Sequence, residues 1–355
     1  MAALKNHFPR ISFGIIVLNG EPFTKYCLRQ LYPHAHEIIV VEGGSDKAAE
    51  FAPQGHSTDG TLETLRKFKD NEDPENKLII VTREGFWAEK DEQSQAYAER
   101  ATGDYLWQVD IDEFYRHEDI EKVRAMLAAD PDIDGTNFKQ HPFWGSPWIV
   151  ADSFFIREYG WGDLPRLFKW GPGYKYKTHR PPTVLDAQGV DLRQKRWITG
   201  EEMAKKGIFM FHYYLLFPIQ VRNKCRYYAT PTGTTTRGYA PAILDWAENS
   251  YFHLRRPFRV HNVSRSISWL RRFDRPQPEE ALRMWEDAVS GKLGVQLRDN
   301  RDAEALINNR YYHWAANLLS LMATMLKYPP FNLLRRVFLG LRDLRKRIHL
   351  IKAGR

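Results

Sequence analysis

Residues 101–114 read ATGDYLWQVDIDEF. Within them Tyr105–Val109 is a short, apolar, aromatic run, the pattern of a strand buried on both faces. It leads directly into Asp110-Ile111-Asp112. In extended backbone, residues two apart point the same way, so both carboxylates can face one ion or one ligand. Alone, such a pair is also an ordinary solvated turn, so its context decides its reading.

Upstream lie three more apolar runs, Ile11–Leu18 (ISFGIIVL), Glu37–Val41 (EIIVV) and Lys77–Val81 (KLIIV). Between the runs, Phe23–Leu31, Thr61–Lys69 and Asp91–Arg100 have helical spacing, and Ser57-Thr58-Asp59-Gly60 offers N-cap residues to the second of these helices. The series βαβαβαβ predicts a parallel sheet with right-handed crossovers. Ligands of such sheets sit beyond the carboxyl ends of the strands. The residues found there are Asn19-Gly20-Glu21, Glu42-Gly43-Gly44-Ser45-Asp46, Thr82-Arg83-Glu84-Gly85 and Asp110-Ile111-Asp112-Glu113. That edge is acidic. It has neither a G-x-G-x-x-G after the first strand nor a G-x-x-x-x-G-K-[ST] phosphate loop. A phosphate ligand would then be held through a divalent metal, Mn²⁺ or Mg²⁺, which carboxylate oxygens suit.

The 355 residues are 43% hydrophobic and 27% charged, which fits a folded α/β chain and not a disordered one. Two cysteines, Cys27 and Cys225, exclude a disulfide framework and an all-cysteine zinc site. The opening MAALKNHFPRISF has no apolar h-region, so no signal peptide is expected, and the reading is of a cytoplasmic protein. The net charge of +8 is concentrated at one end, since residues 331–355 carry eight Lys and Arg against one Asp. A generally basic nucleic-acid-binding body is thereby excluded.

Residues 136–220 are rich in Trp, Phe, Tyr, Gly and Pro and predict a mixed or antiparallel extension of the sheet. From about residue 240 the signals turn helical, at Ala240–Asn249, Glu279–Ala288 and Asp302–Lys327, with a basic helix over 332–351. The predicted organisation is one α/β domain over 1–235, halved near 130, followed by a helical region over 236–355.

GIIVLNGEPF, IIVVEGGS with STDGT, and ATGDYLWQVDIDEF resemble glycosyltransferase family 2 and its Rossmann-like GT-A fold, clearly over 11–114 and more thinly to about 228. The resemblance implies metal-dependent, inverting transfer of a sugar from a UDP- or GDP-sugar to a glycan, lipid-linked or other envelope acceptor. It makes residues 1–130 the nucleotide half and 131–235 the acceptor half. By it, Asn19 and Glu21 line the nucleotide cleft and Glu42 binds the nucleoside. Arg83 or Lys90 approaches the donor, Asp110 reaches the ribose or a metal-bound water, and Asp112 ligates the metal. The chain departs from the family in having Glu42 where Asp is usual. The Gly-Ser-x-Asp-Gly-Thr element is also split by the insertion Asp46–His56, which leaves the base open.

The same resemblance implies a histidine from the far half as a further metal ligand. His212, in Gly207–Val221 (GIFMFHYYLLFPIQV), is the candidate and His179 its rival, the alternative for either being a hydrogen-bonded core residue. His34 and His36 precede the second strand, at the wrong end. An inverting enzyme needs a general base, for which Asp163 is chosen over Asp152 and Glu158. Arg166 binds phosphate or pairs with Asp163. Of Phe143, Trp144, Trp148, Trp161, Trp170 and Tyr174, most are expected in the core, with one or two Trp at the acceptor mouth.

Leu334, Val337, Phe338, Leu341, Leu344, Ile348 and Ile351 form an apolar stripe on the basic helix. Such a helix suits an anionic membrane surface, here the cytoplasmic face, or packs as a hairpin on the domain. Trp314–Leu326 is uncharged for 13 residues, too short to span a bilayer of ~30 Å. Two other functions stay in view. A nucleotidyltransferase acting on sugar phosphates is disfavoured by the missing phosphate loop. A non-catalytic membrane or polyanion adaptor leaves the Asp110/Asp112 context unexplained.

Overall fold

The computed structural model describes residues 8–158, 163–229, 239–262 and 267–326. The apolar runs form β1 (Ile11–Val17), β2 (Glu37–Glu42), β3 (Leu78–Val81) and β4 (Tyr105–Gln108), connected through α1 (Thr24–Leu31), α2 (Thr61–Glu72) and α3 (Lys90–Ala98). They lie parallel in the order β3-β2-β1-β4. Ile11, Phe13, Ile15 and Val17 of β1 pack with Tyr26, Leu28 and Leu31 of α1 in the main core. On the opposite face, Ile16 of β1 joins Tyr97 of α3 in a second cluster.

That second face depends on Gly14. A Cβ there would sit 2.4 Å from Cδ2 of Tyr97 and within 2.8 Å of two more atoms of its ring. Gly14→Ala is therefore expected to destabilise the fold by about 1–3 kcal/mol through overpacking, measurable as a lower urea midpoint. Combination with Tyr97→Leu should return part of that loss.

The chain continues through β5 (Glu113–Phe114), α4 (His117–Ala129), β6 (Gly135–Trp144), β7 (Ile149–Ser153), α5 (Phe154–Glu158) and β8 (Asp163–Lys169). The hairpin β9 (Lys175–His179) and β10 (Pro182–Leu185) follows, then β11 (Trp197–Ile198), α6 (Gly200–Lys205), β12 (Met210–Leu215) and α7 (Pro218–Ala229). β8 runs antiparallel between β4 and β6. β12 lies parallel to β6 and antiparallel to β5. The sheet thus has a parallel half and a mixed half, as the sequence predicts.

Beyond α7 come α8 (Tyr239–Trp246), β13 (Ser268–Arg272), α9 (Glu279–Val289), α10 (Arg301–Asn308) and α11 (Arg310–Met325). β13 pairs antiparallel with β7 and so adds a strand, inside the stretch read as helical, to the same sheet. Ala281, Met284 and Ala288 of α9 enter the main core, and Tyr26 donates a 2.6 Å hydrogen bond to Asp287. The helix expected over Asp302–Lys327 is two helices. Asn309 divides them, its side-chain oxygen accepting from the backbone N–H of Tyr311 and Tyr312 as the N-cap of α11. Phe143 and Trp144 are fully buried, whereas Trp148 is exposed. Both cysteines are buried and free. The basic helix over 332–351 and Trp161 lie outside the described residues.

Candidate functional site

At the carboxyl edge of β1 and β2, two loops far apart in sequence are tied together. The backbone N–H groups of Asn19, Gly20 and Glu21 donate to Ser57 Oγ (2.9 Å), Thr61 Oγ1 (2.7 Å) and Asp59 Oδ2 (2.9 Å), and Thr58 N–H donates back to Asn19 Oδ1 (2.8 Å). Gly60 caps α2 from a left-handed conformation at φ +95°, which only glycine adopts freely. Glu42, at the end of β2, is fully buried. Its carboxylate accepts from Ser57 N–H (2.7 Å) and bonds His56 Nδ1 (2.8 Å), fixing the end of the inserted segment. Asn19, Glu21 and Glu42 thus share one wall. One oxygen of Glu21 is buried without a partner, and burial raises its pKa.

Past β4, Arg166 of β8 reaches both neighbouring acids. Its guanidinium forks onto Glu113 (2.9 Å from Nε to Oε2) and stands 3.3 Å from Asp110 Oδ2. It forms no ion pair with Asp163, so the pairing open to Arg166 in the sequence resolves toward Asp110 and Glu113. Burial pushes the Asp110 carboxyl up, but Arg166, His179, Arg180 and Lys90 overcome it and hold the group well below the ordinary range. Burial raises Glu113 against the pull of the same arginine.

Asp112 faces β12 and α7. Its Oδ1 lies 3.4 Å from His212 Nε2, while Oδ2 accepts from Gln220 Nε2 (3.0 Å) and stands 3.7 Å from Lys224 Nζ. Burial raises the carboxyl, but Lys224 and His212 bring it down to about 2, so it is ionised at neutral pH. His212 Nδ1 is 2.8 Å from Gln140 Oε1. A carbonyl oxygen only accepts, so Nδ1 donates to Gln140 and Nε2 is the ring nitrogen turned toward Asp112. That nitrogen is buried without a hydrogen-bond partner and faces the ionised carboxylate. An ionised oxygen donor and an oriented imidazole nitrogen fit Mn²⁺ or Mg²⁺, in the arrangement that second-layer hydrogen bonds produce around metals. Among the described residues no group of three or more His, Cys, Asp or Glu could hold a metal alone, so the remaining ligands would be water or substrate oxygens.

The surroundings are cationic. Gln220, Lys224 and Tyr228 recur every four residues and so lie along one face of α7. Lys224 Nζ lies 4.7 Å from the Tyr214 ring centre, Lys90 Nζ 5.4 Å from that of Tyr227, and the Arg180 guanidinium 5.6 Å from that of Tyr228. Burial pushes the Tyr213 and Tyr214 phenols up, as burial does. Burial raises Tyr228 too, but Lys90, Arg180 and Lys224 reverse the shift and bring it down to about 8. These three cations together outweigh the desolvation of the Tyr228 phenol, so the surroundings of the acid pair can receive an anion.

Arg83 is turned to Glu92 (2.8 Å) and stacks over Trp87, while Lys90 joins the cations just described. His179 is buried against Ser94 Oγ (3.0 Å), on the Asp110 side, and burial lowers its pKa to about 3. Asp163 accepts from Gly200 N–H (2.8 Å) at the start of α6, and burial raises its pKa. Asp152 is engaged by Arg157 (2.6 Å) and Arg271 (3.5 Å). His34 lies away from the edge, bonded to Glu121 and His117, and His36 is beside Thr102. Residues the sequence reading missed are Gln140, Arg180, Gln220, Lys224 and Tyr228. The four-residue spacing on α7 was the one available signal.

No family model matches the chain, and no curated protein does. Among solved structures it is similar to the mannosyltransferase PcManGT from Pyrobaculum calidifontis, in complex with GDP-Man and Mn²⁺, at 16% identity over 90% of this chain and 87% of that one, with a TM-score of 0.37. TarS 1–349 from S. aureus, in complex with UDP-GlcNAc, matches at 16% identity and a TM-score of 0.29, over 38% of this chain and 34% of that one, about a third of its length. Glucosyl-3-phosphoglycerate synthase from Mycobacterium tuberculosis, in complex with Mn²⁺, UDP-glucose and phosphoglyceric acid, matches at 18% identity over 38% of this chain and 44% of that one, with a TM-score of 0.26.

Proposed function

We propose that the chain transfers a sugar from a nucleoside diphosphate sugar to an acceptor hydroxyl on a glycan or lipid-linked molecule, with a divalent cation held by Asp112 and His212. The observation that carries this reading is the facing pair of ionised Asp112 and buried, unpartnered His212 Nε2, set among Lys90, Arg166, Arg180 and Lys224. When bound, the cation would neutralise charge developing on the departing diphosphate.

The chain's own residues supply the rest. Lys90, Arg180 and Lys224 present the positive field that a diphosphate needs. Arg166 keeps Asp110 ionised and fixed, in place to accept from a ribose hydroxyl or a bound water. The tied loops at Asn19–Glu21 and Ser57–Thr61 wall the nucleoside, and Glu42 positions that wall through His56 and Ser57. For the general base, Asp163 is favoured over Asp152. Its raised pKa suits proton abstraction, whereas Asp152 is held by two arginines. An inverting outcome follows from the sequence resemblance.

Gln140 is a positioning residue in this scheme. Gln140→Leu frees the His212 ring and is expected to weaken Mn²⁺ affinity by about 10–100-fold, the usual cost of losing such a partner. Metal titration in the presence of nucleoside diphosphate measures it. The activity itself is tested by incubating the protein with UDP-, GDP- and CDP-sugars and Mn²⁺. Release of nucleoside diphosphate from one donor class, abolished by EDTA, is expected. Release of pyrophosphate from a nucleoside triphosphate and a sugar phosphate would instead favour a nucleotidyltransferase.

A further inference from the structure

The helix α11 is built inside out. Against the body of the protein it places Ala316, Ser320 and Ala323, with Tyr312 as the one large buried side chain. Its outer face carries Tyr311, Trp314, Leu318, Leu321, Met322 and Met325, all exposed, with Tyr311 at 69%, Trp314 at 68% and Leu321 at 57%. These positions follow three- and four-residue steps and form one stripe along the helix. A helix bounded by water puts its large apolar residues inward, so this outer face is shaped for something other than water.

We propose that this outer face docks on the surface of an anionic lipid bilayer, with the helix lying in the plane of the interface. Charge identifies the partner. Residues 305–355 hold ten Lys and Arg against one Asp, while the first 304 hold 42 against 43 acids. In the sequence, the whole positive excess of the chain therefore lies within and after α11. A second copy docked on the same face would bring two such cationic segments together. A nucleic acid would leave the apolar stripe without a counterpart. An anionic bilayer satisfies both features, apolar residues entering the acyl boundary and basic residues meeting the headgroups. Tyr311 and Trp314, adjoining Arg310 at one end, are the residues that favour that boundary. The 16-residue helix is short of the bilayer core, and no described helix is long and apolar enough to cross a membrane. This docking does not depend on the transfer activity.

The test is flotation of the full chain with phosphatidylcholine vesicles, with and without phosphatidylglycerol. The comparison proteins are a Trp314→Glu/Leu321→Glu variant and a milder Trp314→Ala variant. Wild-type protein should float with the anionic vesicles, less with neutral ones and less at high salt. The double variant should bind about tenfold or more weakly, with Trp314→Ala intermediate and the melting temperature unchanged in both. Equal flotation of all three proteins would overturn the proposal. A lipid-free dimer dissociated by the same substitutions would overturn it in favour of a second copy.

Discussion

Asp112→Asn is expected to lower donor turnover on the order of 10²–10³-fold, the usual loss when one electrostatic contact to developing charge is removed, while the melting temperature stays close to that of the wild type. Asparagine keeps the shape of the side chain and can still accept from Gln220, which holds Asp112 at 3.0 Å. What it loses is the charge, the property that distinguishes a metal ligand from a merely buried polar group. The carboxylate sits between Lys224 and His212, so its replacement also leaves a cationic surface without its counter-charge. Mn²⁺ dependence should weaken in parallel with turnover. A variant that turns over at the wild-type rate with the same metal dependence would remove Asp112 from the site.

Arg166→Met is expected to have the largest effect on stability, about 3–5 kcal/mol, because it leaves a buried charge without its partner. Glu113 is fully buried, and its carboxylate accepts from both Nε and Nη2 of the guanidinium. Without Arg166 it must either take up a proton or stay charged in the core. Asp110 also loses the group that most opposes its burial. Urea denaturation followed by circular dichroism measures the loss. The double variant Arg166→Met/Glu113→Gln should recover much of it, since the orphaned charge is gone, and the cycle isolates the pair. Arg166→Lys should fall between, because a point charge cannot span two carboxylates as a planar fork does. A loss under about 1 kcal/mol for Arg166→Met would contradict the buried-fork account.

The parallel half was legible for a physical reason. A strand covered on both faces reads as an uninterrupted apolar run, and β1 to β4 are such runs. Asp110 and Asp112 were legible as candidates because they follow the fourth of them. Arg166 was visible but its partners were not. They depend on β8 running antiparallel beside β4, a register that no local pattern specifies. The contribution of α7 was hidden because its first turn continues the apolar stretch of β12, so the spacing of Gln220, Lys224 and Tyr228 had no clear helix to belong to. β13 escaped for a similar reason, since Ser268–Arg272 is a short strand, paired with β7 and bridged at Ser268 to Arg259, in a stretch surrounded by helices. Asn309, by contrast, sits before α11 as an N-cap residue, and the break it makes could have been read directly.

The most direct measurement is calorimetric titration of UDP and GDP into the protein with Mn²⁺ and with EDTA, repeated on His212→Ala. Binding of one nucleotide that needs Mn²⁺ in the wild type and is weakened by about tenfold or more in His212→Ala is the predicted result. Nucleotide affinity unchanged by EDTA and by the loss of His212 would contradict a metal held between Asp112 and His212.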